Sequence, residues 1–83
     1  MDIKNKTVVI TGGAQGLGFA MATQMAELGA NLALIDMQDD VLAEAKAELV
    51  KLDVKVETYV ANVSVEADVE AVFNNIVSDF GSV

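Results

Sequence analysis

Cysteine, proline, histidine, arginine and tryptophan are all missing from this chain of 83 residues. Without cysteine no disulfide or thiolate metal site can form, and without histidine as well we expect no zinc site. All five cations are lysines, against 13 acidic residues, and the net charge is −8. Because nucleic-acid binding needs a basic surface, this balance argues against a nucleic-acid partner.

Long apolar runs are missing too, although 53% of the residues are hydrophobic. No run approaches the ~20 residues that a membrane-spanning helix needs. The opening residues Met1–Lys4 lead directly into polar Asn5 and Lys6, which is unlike a signal peptide. We therefore expect a cytoplasmic protein that makes no membrane contact.

Three apolar runs are typical of strands and cover Lys6–Thr11, Asn31–Ile35 and Val54–Val60. The first two are nearly continuous, as in strands that are buried on both faces of a parallel sheet. In the third run apolar residues alternate with polar ones, which indicates a half-exposed strand at a sheet edge. Tyr59, in this third run, is expected to pack at the surface or at that edge.

Helix-like stretches follow each of the three runs. The first helix is expected over Gln15–Leu28. The second begins at a cap formed by Asp39 or Asp40, and the third begins at the cap Ser64 and is closed by Gly81. The expected apolar stripes of these helices are Leu17, Met21, Met25 and Leu28; Val41, Leu42, Ala45, Leu49 and Leu52; and Val65, Val69, Val72, Phe73, Ile76, Val77 and Phe80. Beside the first stripe lie Ala20, Ala22 and Ala26, whose small side chains suit close packing on a sheet.

A glycine-rich segment, TGGAQGLG, joins the first strand to the first helix. Gly12 allows a tight turn without a side chain in the way, Gly16 leaves room for phosphates near the backbone, and Gly18 lets the helix approach the sheet. The amides of Gly16 and Leu17 lie in a first helical turn and would face a pyrophosphate. Eighteen residues after Gly18, Asp36 ends the second run and would bind a ribose diol. This layout predicts a dinucleotide-binding unit, and no Gly-Lys-Ser/Thr follows that would make it a P-loop.

The order of elements predicts an α/β fold, a Rossmann-type three-layer βαβαβα unit. Right-handed crossovers place the parallel strands in the order 3-2-1, with the first two helices on one face and the third on the other. A doubly wound domain normally needs more than 83 residues. We therefore expect residues 1–83 to be the first part of one nucleotide-binding domain, whose fourth strand would follow Ser82 and Val83.

The same residues resemble the short-chain dehydrogenase/reductase family. TGGAQGLG fits its TGxxxGxG pattern, Asp36 matches the acid after its second strand, and Ala61-Asn62-Val63 stands where the family usually has Asp-Val. Asp79-Phe80-Gly81 is similar to the helix end before its fourth strand. The resemblance covers the whole chain but only the first part of the family's domain. It implies cofactor contacts at Gly12, Gln15, Gly16, Leu17, Gly18, Asp36, Met37, Ala61, Asn62 and Val63.

NAD is the expected cofactor, rather than NADP. Asp36 places a carboxylate where the 2′-phosphate of NADP would lie, and Met37 follows where a phosphate-binding enzyme would have an arginine. By the resemblance, the amide oxygen of Asn62 accepts a hydrogen bond from the adenine amino group and the Val63 amide donates to the ring. Asn62 replaces the family's aspartate, and a neutral acceptor is weaker than a charged one.

For the complete protein, the resemblance implies hydride transfer between an alcohol and a carbonyl compound. The family's catalytic tyrosine has a lysine four residues later, whereas Tyr59, the only tyrosine here, is followed at that distance by Val63. We therefore assign no catalytic residue, and this chain would at most bind the cofactor. Two alternatives stay open: a non-catalytic nucleotide-binding or interaction module, and the S-adenosylmethionine-binding half of a methyltransferase.

An incomplete sheet also predicts a protein partner besides NAD(H). One side of the first strand, Lys6–Thr11, would be unpaired, and an exposed apolar strand edge invites pairing with another chain. We expect either a homo-oligomer, formed through this edge or through the apolar stripe of the third helix, or a missing C-terminal part.

Overall fold

Three short parallel strands form the centre of the molecule: β1 is Thr7–Thr11, β2 is Asn31–Asp36 and β3 is Val56–Val60. The computed structural model describes residues 3–81. Ser82 and Val83, after which a fourth strand is predicted, lie outside the described residues, as do Met1 and Asp2. β2 lies between β1 and β3. This arrangement confirms the predicted strand order 3-2-1.

Helices cover both faces of the sheet. α1 is Gly16–Glu27, α2 is Asp39–Leu49 followed by a short 3-10 turn at Val50–Leu52, and α3 is Glu66–Phe80. α1 and α2 share one hydrophobic core with the sheet, and α3 forms a second core on the opposite face. The predicted three-layer α/β fold is therefore confirmed. Within residues 3–81, no helix combines the length and the apolarity that crossing a membrane requires.

Alternation along β2 divides its side chains between the two cores. Leu32 and Leu34 pack with α1 and α2, whereas Ala33 and Ile35 pack with α3. All four are buried, as the near-continuous apolar run predicts. In β1 only Ile10 is buried, because the outer edge of this strand is unpaired within the described chain. The prediction of burial on both faces is thus right for β2 and wrong for β1.

The predicted apolar stripe of α1 is not its buried face. Ala22 and Ala26 face the core, while Leu17 is 78% exposed and Met21 is 44% exposed. Because these side chains are small, α1 lies close to the sheet with its alanine face inward. Leu17 and Met21 lie instead at a groove along the free edge of β1. Met25 alone among the predicted stripe packs against the core.

The ends of α2 and α3 correct the predicted caps. Gln38 precedes α2 and Val65 precedes α3, and neither side chain makes a capping hydrogen bond. Asp39 and Asp40 lie inside the first turn of α2, where their charges favour the positive end of the helix dipole. Gly81 ends α3 in a left-handed conformation with φ of +83°, as predicted.

Leu52 and three residues of the stripe predicted for the third helix also depart from the prediction. Leu52 lies beyond α2 in the 3-10 turn and is exposed. In α3, Val72 and Ile76 are buried, whereas Phe73 and Val77 are exposed because only part of the width of the stripe meets the sheet. Val65, which precedes α3, is exposed as well.

Tyr59 is a buried residue of the edge strand β3, not a surface residue. Its ring packs in the α3 core, and its hydroxyl donates a hydrogen bond to Asp79 Oδ2 at 2.7 Å. Burial and the Asp79 carboxylate raise the pKa of Tyr59 above its ordinary value. The alternation in β3 fails as a guide because α2 covers one face of this strand and α3 covers the other.

Candidate functional site

The segments that follow the three strands meet at one edge of the sheet. The Gly12 amide donates to the Ile35 carbonyl at 2.7 Å, and the Ala61 amide donates to the Asp36 carbonyl at 3.0 Å. These bonds extend the parallel ladder past the strands. They place the glycine turn, Asp36 and the Ala61–Val63 segment side by side, which is where open α/β sheets bind ligands.

Three glycines shape the first turn for different reasons. Gly12 and Gly16 have φ angles of +66° and +54°, and a Cβ on either would meet nothing within 4 Å. Gly12 is therefore required by its backbone angle, rather than by a lack of space. A Cβ on Gly18 would lie 2.1 Å from the Gly12 carbonyl oxygen, so Gly18 is required by the close approach of α1 to the turn.

The N-terminus of α1 is open to an anion. Gln15 makes no side-chain capping bond, and the first turn contains no acidic residue. Both α2 and α3 carry two acids in their first turns. Because the amides of a first helical turn have no intrahelical acceptor, the segment Gly16–Gly18 presents donors and a positive dipole end.

Asp36 is half-buried at the end of β2, and its side chain is held by the backbone that follows it. Its Oδ1 atom accepts from the Met37 amide at 2.7 Å and from the Gln38 amide at 3.4 Å. Within residues 3–81 the other oxygen, Oδ2, has no hydrogen-bond partner. The carboxylate therefore retains an acceptor for a ligand. The Met37 side chain is 63% exposed and adds no charge beside it.

The segment after β3 is a turn built around Asn62. The Asn62 Oδ1 atom accepts from the Ser64 amide at 3.0 Å and from the Ser64 hydroxyl at 2.6 Å. The Asn62 amide donates to Asp68 Oδ2 at 3.1 Å, and the Val65 amide donates to the Asn62 carbonyl. Ser64 is thus not the helix cap that the sequence predicts but a partner of Asn62.

Two clefts open at this edge. One, of about 250 Å³, is apolar and lies between the strand ends and α3; its lining includes Thr11, Ile35, Ala61, Val63, Val69 and Phe73. The other, of about 240 Å³, lies between the glycine turn and α2, where Gln15 and Gly16 face Glu44 and Glu48. An aromatic base suits the apolar cleft. In the second cleft, Glu48 is paired with Lys51 at 3.2 Å.

Charge divides the two ends of the sheet. The turns at residues 12–15, 37–38 and 61–65 contain no lysine. Lys4, Lys6 and Lys55 precede strands and so lie toward the opposite end, while Lys46 pairs with Glu57 at 3.1 Å. The predicted site therefore combines open backbone donors with a carboxylate and lacks a cationic side chain.

All ten predicted contact residues lie in these three segments or in the first turn of α1: Gly12, Gln15, Gly16, Leu17, Gly18, Asp36, Met37, Ala61, Asn62 and Val63. Leu17 contributes its backbone, since its side chain lies in the groove beside β1. Ser64 and Asp68, which hydrogen-bond Asn62, are two residues of this edge that were not predicted. Their spacing from Asn62, two and six residues, is the signal that would have indicated a local turn.

Comparisons with known proteins identify the wider family. The family model for the short chain dehydrogenase matches residues 6–83. Levodione reductase from Leifsonia aquatica is 41% identical over 81 residues, which cover 95% of this chain and 30% of that protein. The chain thus spans less than a third of that curated relative.

Solved structures with similar folds include both cofactor types. A short chain dehydrogenase/reductase from Burkholderia phymatum in complex with NAD superimposes with a TM-score of 0.94, at 32% identity, over 100% of this chain and 30% of that one. L-sorbose reductase from Gluconobacter frateurii, complexed with NADPH and L-sorbose, gives 0.92 at 38% identity, over 98% and 32%. With its family match over 78 of 83 residues, this chain belongs to the short-chain dehydrogenase family.

Proposed function

We propose that this chain binds NAD(H) and forms the first part, residues 1–83, of the single nucleotide-binding domain of an alcohol/carbonyl oxidoreductase. The observation that carries the proposal is the open N-terminus of α1. It has no side-chain cap and no acidic residue in its first turn, and Gly12 and Gly16 beside it have positive φ. In a chain of net charge −8, this is a local reversal of the overall charge. It is suited to the pyrophosphate of a dinucleotide.

The ribose and the base would lie on the two neighbouring segments. Asp36 Oδ2 would accept hydrogen bonds from the adenosine ribose hydroxyls, while Oδ1 keeps the side chain in place through Met37 and Gln38. The Val63 amide, which has no partner within residues 3–81, would donate to the base beside the apolar cleft. Bound NAD(H) would supply the hydride, and this chain would hold its adenosine half.

NAD is favoured over NADP by the charges of this edge. A 2′-phosphate would meet the Asp36 carboxylate, and like charges at short distance repel. Relatives of both cofactor types exist, so the Asp36 carboxylate, rather than family membership, supports the choice. The family supports a nicotinamide cofactor over S-adenosylmethionine, and a non-catalytic binding module remains the alternative for a chain without a Tyr-x-x-x-Lys pair.

Titration of the chain with NADH and with NADPH tests the proposal. We expect NADH to bind at least tenfold more tightly. Asp36→Asn keeps an oxygen for the Met37 and Gln38 amides and removes the charge, so it should narrow the difference by about tenfold, equal to about 1.4 kcal/mol.

Asp53→Asn is the matched control, since Asp53 is exposed and follows the 3-10 turn outside the site. It makes the same charge change and should leave the preference for NADH unchanged. Equal affinities for the two cofactors in the unsubstituted chain would disprove the choice of NAD, and no saturable binding of either would disprove the proposed function.

We also propose self-association through the free edge of β1, unless further chain covers it. A groove of about 350 Å³ runs along Val8–Thr11 and is bordered by exposed Leu17 and Met21. Light scattering at micromolar concentration should detect dimers or larger species. Met21→Lys should shift them toward monomer, whereas Ala20→Lys, an equal charge change at the exposed neighbouring residue, should not. A monomeric unsubstituted chain would contradict this proposal. The cytoplasmic location stays a prediction.

A further inference from the structure

We propose that two copies of this chain join through the outer edges of β1 in an antiparallel arrangement, with Val9 at a two-fold axis. This arrangement rests on the proposed self-association, and it joins two three-stranded sheets into one sheet of six strands. Two further features beside β1 favour a second copy of the chain as the partner: the lack of charge and the position of α1.

Alternate residues of β1 present their backbone groups to the outer edge. The Asn31 amide donates to the Lys6 carbonyl at 2.8 Å, and the Gly12 amide donates to the Ile35 carbonyl at 2.7 Å. In a parallel ladder, the residues whose backbone groups face the neighbouring strand alternate along the chain. The even-numbered residues from 6 to 12 therefore face β2. The amides and carbonyls of the odd-numbered residues face outward, where the described chain has no strand: Thr7, Val9 and Thr11.

Antiparallel pairing about Val9 would use all of these outward groups. The two Val9 residues would exchange both backbone hydrogen bonds, and Thr7 of each copy would do the same with Thr11 of the other. A two-fold interface uses the same surface of both copies, so this short edge is complementary to itself. A shift of the register by two residues would leave one outward residue of each copy without a strand partner.

No charged side chain lies along this edge to prevent pairing. Residues 7–26, which form β1, the glycine turn and most of α1, contain no charged residue, although the chain has 13 acids and five lysines. Two copies with a net charge of −8 repel each other, so a stable contact needs a surface without acids. Edge strands are commonly protected by lysine, proline or a bulge, and Thr7–Thr11 contains neither residue and pairs regularly with β2.

The position of α1 suits the same arrangement. α1 contacts both β1 and β2. Neighbouring strands lie about 4.8 Å apart, and the two-fold axis would lie half of that spacing outside β1. The α1 helices of the two copies would therefore lie about 10 Å apart, which is close to the spacing of packed helices. Leu17 and Met21, which are 78% and 44% exposed beside β1, would be covered by α1 of the other copy.

Single-cysteine variants test this geometry, because the chain itself contains no cysteine. After mild oxidation at micromolar concentration, Val9→Cys should give at least ten times more disulfide-linked dimer than Val50→Cys. Val50 is exposed in the 3-10 turn after α2, so its variant measures chance collisions.

Mixed oxidation distinguishes antiparallel from parallel pairing. Thr7→Cys and Thr11→Cys should cross-link to each other when the two variants are mixed, because the paired residues would lie within reach of a disulfide. Neither variant should cross-link when it is oxidised alone, since the two copies of Thr7 would lie about 14 Å apart in the antiparallel register.

Hydrogen exchange of the unsubstituted chain needs no variant and covers the case in which a cysteine variant fails to fold. The amides of Thr7, Val9 and Thr11 should exchange at least tenfold more slowly at a concentration that gives dimers than at one that gives monomers. The Thr58 amide is the matched control, because it faces the outer edge of β3 and should not change.

Dimers in which Thr7→Cys cross-links to itself, or in which the three amides stay unprotected, would overturn this arrangement and leave the proposed self-association standing. A monomeric unsubstituted chain in light scattering would disprove both.

Discussion

The two ends of the sheet are held in different ways. The last turn of α3 lies beside Lys55 at the amino end of β3, and side chains tie the two elements together: Lys55 Nζ bonds the Asp79 carbonyl and lies 4.5 Å from the Phe80 ring centroid, and Tyr59, further along β3, donates to Asp79 Oδ2 at 2.7 Å. Asn31 Oδ1 also accepts from the Lys55 amide at 2.9 Å. This end is fixed by specific side-chain contacts.

At the carboxyl ends of the strands, backbone angles and backbone hydrogen bonds hold most of the structure. The backbone angles of the glycines shape the first turn, and hydrogen bonds between backbone amides and carbonyls align the three segments. Hydrogen bonds from neighbouring backbone amides fix the side chains of Asp36 and Asn62. The donors at the start of α1 and at Val63 are left open. This small fold therefore separates its anchoring contacts from its binding groups. Substitutions at the two ends should therefore affect stability and cofactor binding to different extents.

Gly18→Ala should have the greatest effect, because it disrupts the packing of α1 against the glycine turn at the carboxyl ends of the strands. The added Cβ would lie 2.1 Å from the Gly12 carbonyl oxygen and 2.8 Å from its carbon, so α1 must move away from the turn. Such backbone overlap should cost about 3 kcal/mol in the free energy of unfolding and abolish NAD(H) binding. Urea unfolding followed by circular dichroism measures the loss.

Gly16→Ala separates strain from overlap at the same turn. Its Cβ meets nothing within 4 Å, but its φ of +54° disfavours a side chain, and we expect a loss of about 1 kcal/mol. A cost for Gly18→Ala no greater than that for Gly16→Ala would show that the turn and helix are not packed as tightly as the structure indicates.

A smaller effect is expected where β3 meets the last turn of α3, from Tyr59→Phe. The change removes the hydrogen bond to Asp79 and keeps the packing of the ring. We expect a loss of about 1 kcal/mol in the free energy of unfolding, with the Kd for NADH unchanged. Asp79→Asn retains an acceptor and should cost less. A change in the NADH Kd as large as that caused by Asp36→Asn would mean that the two ends are coupled.

The stability lost in Tyr59→Phe should depend on pH, because the pKa of Tyr59 is raised. The main cause of the raised pKa is burial, followed by the hydrogen bond and the charge of Asp79. Above its ordinary value of 10.0, the tyrosine of the unfolded chain ionises while the folded one stays protonated. The unfolded state then binds fewer protons, so stability falls as the pH rises. Tyr59→Phe lacks this contribution, and its difference from the unsubstituted chain should shrink above about pH 10. A constant difference would contradict the raised pKa.

Much of the architecture could be predicted from the sequence, because local patterns carry it. The glycine spacing, the acid at the end of β2 and the alternation of apolar runs with helical stripes gave the strand order and the layers, and Gly81 marked the end of α3. These signals work because a backbone angle or a hydrophobic period is a property of a few neighbouring residues.

Burial and pairing were harder to predict because they depend on distant elements. The α1 stripe was wrong because the small faces of Ala22 and Ala26 allowed a closer approach to the sheet than the larger Leu17 and Met21. Tyr59 is buried because α3 returns over β3 and brings Asp79, 20 residues later, to its hydroxyl. No pattern in the strand itself contains that information.

Residue type and spacing alone specify the βαβαβα order, the glycine turn, the position of Asp36 and the absence of arginine. Packing of the folded chain sets which face of α1 is buried and leaves the N-terminus of α1 uncapped. It also brings Ser64 to the Asn62 oxygen. The physical reason is that hydrogen-bond partners and buried faces are chosen by competition among groups that meet only after the chain has folded.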